Sequence, residues 1–101
     1  MTSPRQALDD LRRRARGGAL TPDERHAVIG HMQRGNADPV RAAAISVAAA
    51  CIETRADAEL VVELIKIAES KDAADDAVRT DAVRALAKAT EYKGQPVRFD
   101  L

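Results

Sequence analysis

Apolar residues recur every three or four positions in five stretches of this chain, and short segments with Pro, Gly, Ser, Thr or Asp separate the stretches. This spacing places apolar side chains along one face of an α-helix. The pattern predicts five helices, with approximate bounds 3–17, 21–35, 38–53, 56–70 and 75–92. Because the connections are only a few residues long, we expect neighbouring helices to pack antiparallel.

Capping sequences mark the starts of the first two predicted helices. Ser3 precedes a proline, and Gln6 follows at the position that completes a capping box. Thr21 and Glu24 repeat this pattern around a second proline, and Asp23 complements the positive end of a helix.

The third predicted helix is apolar nearly all round. One stripe contains Val40, Ala44, Val47, Ala48 and Cys51. A helix without a polar face is normally enclosed by other helices. We therefore expect this helix at the centre of the domain, with Cys51 as a buried and unreactive thiol.

Composition favours one all-α domain. The chain has 101 residues, and 21 of them are alanine, the strongest helix former. Aromatic residues make up 2%, which argues against a β-sandwich and against sites built on aromatic platforms. The single cysteine excludes an internal disulfide and a cysteine-based zinc site.

The sequence predicts neither a membrane span nor a secretory signal, since no stretch is long and apolar enough and charges follow the N-terminus closely. We expect a soluble cytoplasmic protein with no membrane partner. Twelve arginines against four lysines, with abundant alanine, is a bias common in proteins from GC-rich bacterial genomes.

The formal net charge is zero, but the charges are segregated. Residues 1–36 contain seven basic and four acidic side chains, whereas nine acidic and four basic side chains lie between Glu53 and Asp81. We expect a basic end and an acidic end, which would steer association with a partner of complementary charge.

A motif occurs twice, 38 residues apart: residues 38–41 read Asp-Pro-Val-Arg, and residues 76–79 read Asp-Ala-Val-Arg. An alanine follows three positions after each arginine. Two helices in a unit of about 40 residues are typical of an α-solenoid. With this motif, residues 37–93 resemble HEAT repeats, particularly the short bacterial kind.

The resemblance implies a small HEAT-like α-solenoid that forms a single domain over residues 1–101. Residues 1–36 would be a divergent or capping helix pair, and residues 94–101 a short extended tail.

In the family, the repeated Asp and Arg link one repeat to the next. Carried over to this chain, Asp38 and Asp76 would cap the third and fifth helices. Arg41 and Arg79 would bond a neighbouring carboxylate or a helix-end carbonyl. The alternative is that these four residues contact a partner directly.

Residues with catalytic or metal-binding chemistry do not form a recognisable set. His26 and His31 are about 140° apart around a helix, so one face cannot present both to a metal. No serine lies in a nucleophile turn. Glu59 and Glu63 lie one turn apart and suit acid–base work only if buried, so we expect a solvated face. We predict no enzymatic activity, no metal and no cofactor.

The basic cluster is the signal for nucleic-acid binding, and it contains Arg12, Arg13, Arg14 and Arg16. Short basic runs are also common on solvated helices, and the last two arginines can bond the final carbonyls of their helix. The third helix is unsuited to reading bases, because its alanines offer few groups for base edges.

The tail alternates apolar and polar residues, so Val97, Phe99 and Leu101 would share one face of an extended segment. Three surfaces can receive it: the protein's own helices, a second copy in a homodimer, or another partner.

The sequence therefore favours a non-catalytic module that binds another protein, as an adaptor, inhibitor or immunity-type protein. The alternative is a helical nucleic-acid-binding protein that uses the basic cluster. The candidate partner-binding residues are Arg12, Arg13, Arg14, Arg16, Phe99 and Leu101.

Overall fold

A computed structural model of the protein describes residues 3–17, 20–54 and 58–87, and all regular structure in these ranges is helical. The elements are α1 (Pro4–Gly17), α2 (Pro22–Met32), α3 (Asp38–Thr54), α4 (Ala58–Glu69), a 3₁₀ turn (Ala73–Asp75) and α5 (Asp76–Ala87). The prediction of an all-α fold is confirmed. The predicted end of the fifth helix near Tyr92 and the tail, with Phe99 and Leu101, lie outside the described residues.

The predicted caps form at the starts of α1 and α2. Ser3 Oγ accepts a hydrogen bond from the Gln6 amide at 3.2 Å. Thr21 and Glu24 form the complete capping box: the Glu24 amide donates to Thr21 Oγ1 at 3.1 Å, and the Thr21 amide donates to Glu24 Oε1 at 2.9 Å. These groups satisfy amides that have no partner within the helix.

The end of α2 differs from the prediction, because the helix stops at Met32 rather than near residue 35. Asn36 Nδ2 donates to the carbonyls of Gly30 and Gln33 at 2.9 and 3.1 Å. Gln33 Nε2 donates to the Ile29 carbonyl at 2.9 Å. Side-chain amides therefore replace the main-chain donors that another helical turn would supply.

α3 is the central element, as its apolar sequence predicts, because it packs against α1, α2 and α5. Ala44, Ala48 and Ile52 are completely buried. Small side chains along α3 allow its neighbours to approach closely. α4 packs mainly on α5 and touches α2, which completes a compact helical bundle.

The core is continuous and takes aliphatic side chains from all five helices. The largest buried members include Leu8, Met32, Ile45, Leu64 and Leu86. The radius of gyration is 12.6 Å, and about 13 Å is usual for a compact domain of this length. Among the described helices, none has both the length and the apolarity needed to cross a membrane.

We predict that Ala48→Leu lowers the free energy of unfolding by about 1–3 kcal/mol, because the closely packed centre of α3 has no room for three further carbon atoms. Ala27→Leu is the matched control, since Ala27 is exposed on α2. Urea denaturation of the two variants measures the difference. Equal stability would contradict the close packing around α3.

Candidate functional site

A buried carboxylate, that of Asp75, lies at the centre of a polar cluster between α2, α3 and α5. Asp75 Oδ1 accepts from Arg41 Nη2 at 2.7 Å. Asp75 Oδ2 accepts from Arg34 Nη2 at 2.8 Å and from Ser70 Oγ at 2.5 Å. Because a buried charge is costly without partners, these donors are what allow the carboxylate to be enclosed.

Arg41 is the buried cation of this cluster, and both Arg41 and Asp75 are only 2% exposed. Arg41 Nε donates to the Met32 carbonyl at 2.8 Å, and Nη1 donates to the Ala74 carbonyl at 3.0 Å. The planar guanidinium thus contacts the end of α2, the 3₁₀ turn and Asp75 together. A lysine ammonium could not reproduce this planar set of donors.

The surrounding donors lower the pKa of Asp75 well below its usual range. The hydrogen bond from Arg34 is the largest cause, and those from Ser70 and Arg41 act in the same direction. Burial opposes them, but its effect is smaller than their combined effect. Asp75 in turn raises the pKa of Arg34, which also lies 3.3 Å from Asp72.

Arg79 repeats part of the Arg41 geometry one period later. Its Nε donates to the Ser70 carbonyl at 2.7 Å, nine residues upstream, just as Arg41 donates to a carbonyl nine residues upstream. Arg79 differs in its carboxylate partner, because Nη1 donates to Asp76 of its own helix at 2.7 Å. The 38-residue repeat is therefore present in the hydrogen bonds as well as in the sequence.

The two motif aspartates lie inside their helices rather than at the caps. Asp38 and Asp76 are the first residues of α3 and α5. The Ala37 carbonyl accepts from the Arg41 amide at 3.0 Å, which places the N-cap of α3 one residue earlier. Asp72 caps the turn before α5, since its Oδ1 accepts from the Ala74 amide at 2.9 Å.

The basic cluster is exposed on α1, and the structure divides it into two sets. Arg13 pairs with Asp10 at 3.3 Å, and Arg14 pairs with Glu24 at 2.6 Å. Arg12 and Arg16 lie one turn apart on the same side of the helix. In the described part of the chain, no carboxylate lies within ion-pair distance of these two arginines.

The histidines and the cysteine occupy separate places. His26 Nε2 lies 3.5 Å from Glu59 Oε2, His31 is half-buried on α2, and Cys51 is buried on α3. Within the described residues, no three His, Cys, Asp or Glu side chains are grouped to hold a metal ion.

An apolar groove lies between α2 and α4, with a volume of 260 Å³. Ile29 and Val62 are its larger apolar side chains, and Val62 is 37% exposed. Among the described residues, Val62 is the large apolar side chain that the fold leaves exposed. The groove is therefore the surface that could bury further apolar area against another molecule.

Two carboxylates border this groove. Glu59 Oε1 accepts from Arg25 Nη1 at 3.0 Å, and Glu63 Oε1 accepts from Lys66 Nζ at 3.2 Å. The prediction placed both glutamates on a solvated face, and Glu59 is exposed while Glu63 is half-buried. The groove joins residues about thirty positions apart, so no sequence window contained it.

The buried cluster includes three residues that sequence analysis missed: Asp75, Arg34 and Ser70. The available signal was the Asp75–Asp76 doublet, which gives the second motif one more acid than the first. Arg34 lies in the turn before α3 and has no motif around it. Its partner Asp75 lies 41 residues later in the sequence, in the 3₁₀ turn, so the pairing is visible only in the folded structure.

Comparison with known proteins found no match to this chain among protein-family models, curated proteins or solved structures. The class that the geometry defines is a small helical bundle with a buried arginine–aspartate cluster. Its functional interpretation depends on the surfaces described above.

We predict that Asp75→Asn lowers the free energy of unfolding by about 3–5 kcal/mol, because it leaves the buried Arg41 without its counter-charge. Asp76→Asn is the control, since that carboxylate is 64% exposed in its pair with Arg79. We expect less than about 1 kcal/mol for the control. Unfolding of both variants at the same urea concentration would contradict the importance of the buried pair.

We predict a loss of stability in acid that depends on Asp75. The pKa of Asp75 is lowered in the folded protein, so ionisation contributes its full stabilisation above the unfolded-state pKa of about 3.9. Below that pH the unfolded chain binds the proton first, and the contribution falls as pH approaches the folded-state pKa. Urea titrations from pH 7 to pH 3 should show a shallower acid loss for Asp75→Asn. Parallel curves for the two proteins would contradict this assignment.

Proposed function

We propose that the protein is a non-catalytic protein-interaction module on a HEAT-like repeat scaffold. It would act as an adaptor, inhibitor or immunity-type protein, and its binding surface would be the α2–α4 groove. The observation that carries this proposal is the exposed Val62 beside Ile29 in a groove bordered by Glu59 and Glu63.

The repeated arginine geometry supports the scaffold part of the proposal. Arg41 and Arg79 each bond the carbonyl nine residues upstream, at the end of the preceding helix. Equivalent links between successive units are expected of a repeat protein, in which each unit packs on its neighbours.

The polar cluster around Asp75 supports the non-catalytic part. Its charged groups already bond one another and the ends of helices, with Asp75 and Arg41 both buried. A group that holds helices together in this way is committed to structure rather than to a substrate. The cleft beside it has a volume of 280 Å³, and its lining includes Arg34, Arg41 and Asp75, which already bond one another.

Val62→Asp tests the groove, because it places a charge in the apolar floor at little cost to the fold. Ala77→Asp, on the exposed surface of α5, is the matched control. With each protein as immobilised bait in a lysate, we expect a protein retained by the wild type and Ala77→Asp but lost with Val62→Asp. Identical retention by all three baits would refute the groove as the binding surface.

Nucleic-acid binding is the second candidate, and the exposed pair Arg12 and Arg16 is the observation that favours it. Its test is retention on duplex DNA across a salt series, with Arg12→Glu/Arg16→Glu as the variant. Steeply salt-dependent binding that this variant abolishes would favour nucleic acid. Absence of retention at low salt would exclude it.

A further inference from the structure

The outer side of α1 presents a stripe of three arginines, which we call the arginine stripe: Arg5, Arg12 and Arg16. At 100° per residue they lie within about 40° of one another, along about 16 Å of helix. All three are exposed, and within the described ranges none has a carboxylate at ion-pair distance. Asp9 lies among them, so the stripe keeps a net positive charge.

Most of the opposite charge lies on other helices. Residues 3–17 contain five arginines and two aspartates, whereas residues 58–87 contain seven carboxylates and four basic side chains. α1 packs on α3, while α4 packs mainly on α5. Among the described residues of one molecule, no ion pair joins the arginine stripe to a carboxylate of α4.

The spacing of charges on the two helices is the same. Arg12 and Arg16 are four residues apart, and so are Glu59 and Glu63, which gives about 6 Å along each helix axis. If α1 and α4 run antiparallel, Arg16 meets Glu59 while Arg12 meets Glu63.

We propose that the α2–α4 groove receives α1 of a second copy of this chain. The aliphatic parts of the arginine side chains would cover Val62 and Ile29, while their guanidinium groups bond the bordering carboxylates. This inference rests on the proposed function, because it names the partner at the same groove. A contact between two different surfaces is head-to-tail, so it forms open chains or closed rings.

Existing partners on the groove do not block this contact. A carboxylate has about four acceptor positions, so Glu59 can keep Arg25 and His26, and Glu63 can keep Gln33, while each accepts another guanidinium. Lys66 is the opposing charge on α4, and its side chain is 67% exposed. It can turn into solvent as Arg12 takes its place at Glu63.

A second copy fits these observations better than nucleic acid does. The matched four-residue spacing and the apolar floor of the groove both suit a helix with carboxylate partners. Nucleic-acid binding would instead leave Val62 uncovered.

A charge-swap experiment tests the proposal by sedimentation of the full chain over a concentration series. We expect the wild type to associate at low salt and to dissociate at high salt, since screening weakens exposed charge pairs. Arg12→Glu/Arg16→Glu and Glu59→Arg/Glu63→Arg should each be monomeric alone. Their mixture should associate again. The acidic α1 of the first variant then meets the basic α4 of the second, and the unchanged α1 of the second meets the unchanged α4 of the first.

Controls keep the test specific. Arg13→Glu/Arg84→Glu makes the same change in net charge away from the stripe and should associate like the wild type. Val62→Asp should weaken association without a charge swap, and urea denaturation verifies that each variant is folded. A wild type that is monomeric at every concentration, or a mixture that stays monomeric, overturns the proposal. If the wild type still captures a different protein from a lysate and Val62→Asp does not, the proposed function is retained although the self-association is refuted.

Discussion

The ion pair between Arg41 and Asp75 is the interaction on which the arrangement of the helices depends. Enclosing two charges costs several kcal/mol for each ion, and the cost is offset only when every donor has a partner. Those partners come from α3, the end of α2 and the turn before α5, so these elements must be in place together. Because hydrogen bonds are directional and aliphatic contacts are not, this polar contact is a strong determinant of the register of the helices.

The sequence predicted the features that depend on neighbouring residues. The capping box at Thr21 and the central position of α3 follow from local spacing, and the structure has both. The kind of partner that Arg41 bonds, a carboxylate and a helix-end carbonyl, followed from the resemblance to a repeat family. The choice of Asp75 as the buried carboxylate did not, because Asp72 and Asp76 lie beside it. The path of the 3₁₀ turn determines which of these three aspartate side chains points into the protein.

The surfaces were harder to predict because they join separate segments. Glu59 and Glu63 alone indicate a solvated helix face. The structure adds α2, which converts that face into the border of an apolar groove. For the basic cluster, the structure reduces the number of unpaired charges, because Arg13 and Arg14 pair with carboxylates from α1 and α2. Contacts between helices, which no single sequence window contains, therefore determine which charges stay available.

The three-way contact of Arg41 has a consequence for how the folded protein opens. Its guanidinium bonds carbonyls at the end of α2 and just before α5, two places where chains normally fray independently. Fraying at either place breaks a hydrogen bond to the same buried group and exposes its charge to partial solvation. We therefore expect local openings at the two places to be coupled, so that amide hydrogens around Met32 and Ala74 exchange as one unit rather than two. One buried side chain would in this way add to the cooperativity of a domain of five short helices.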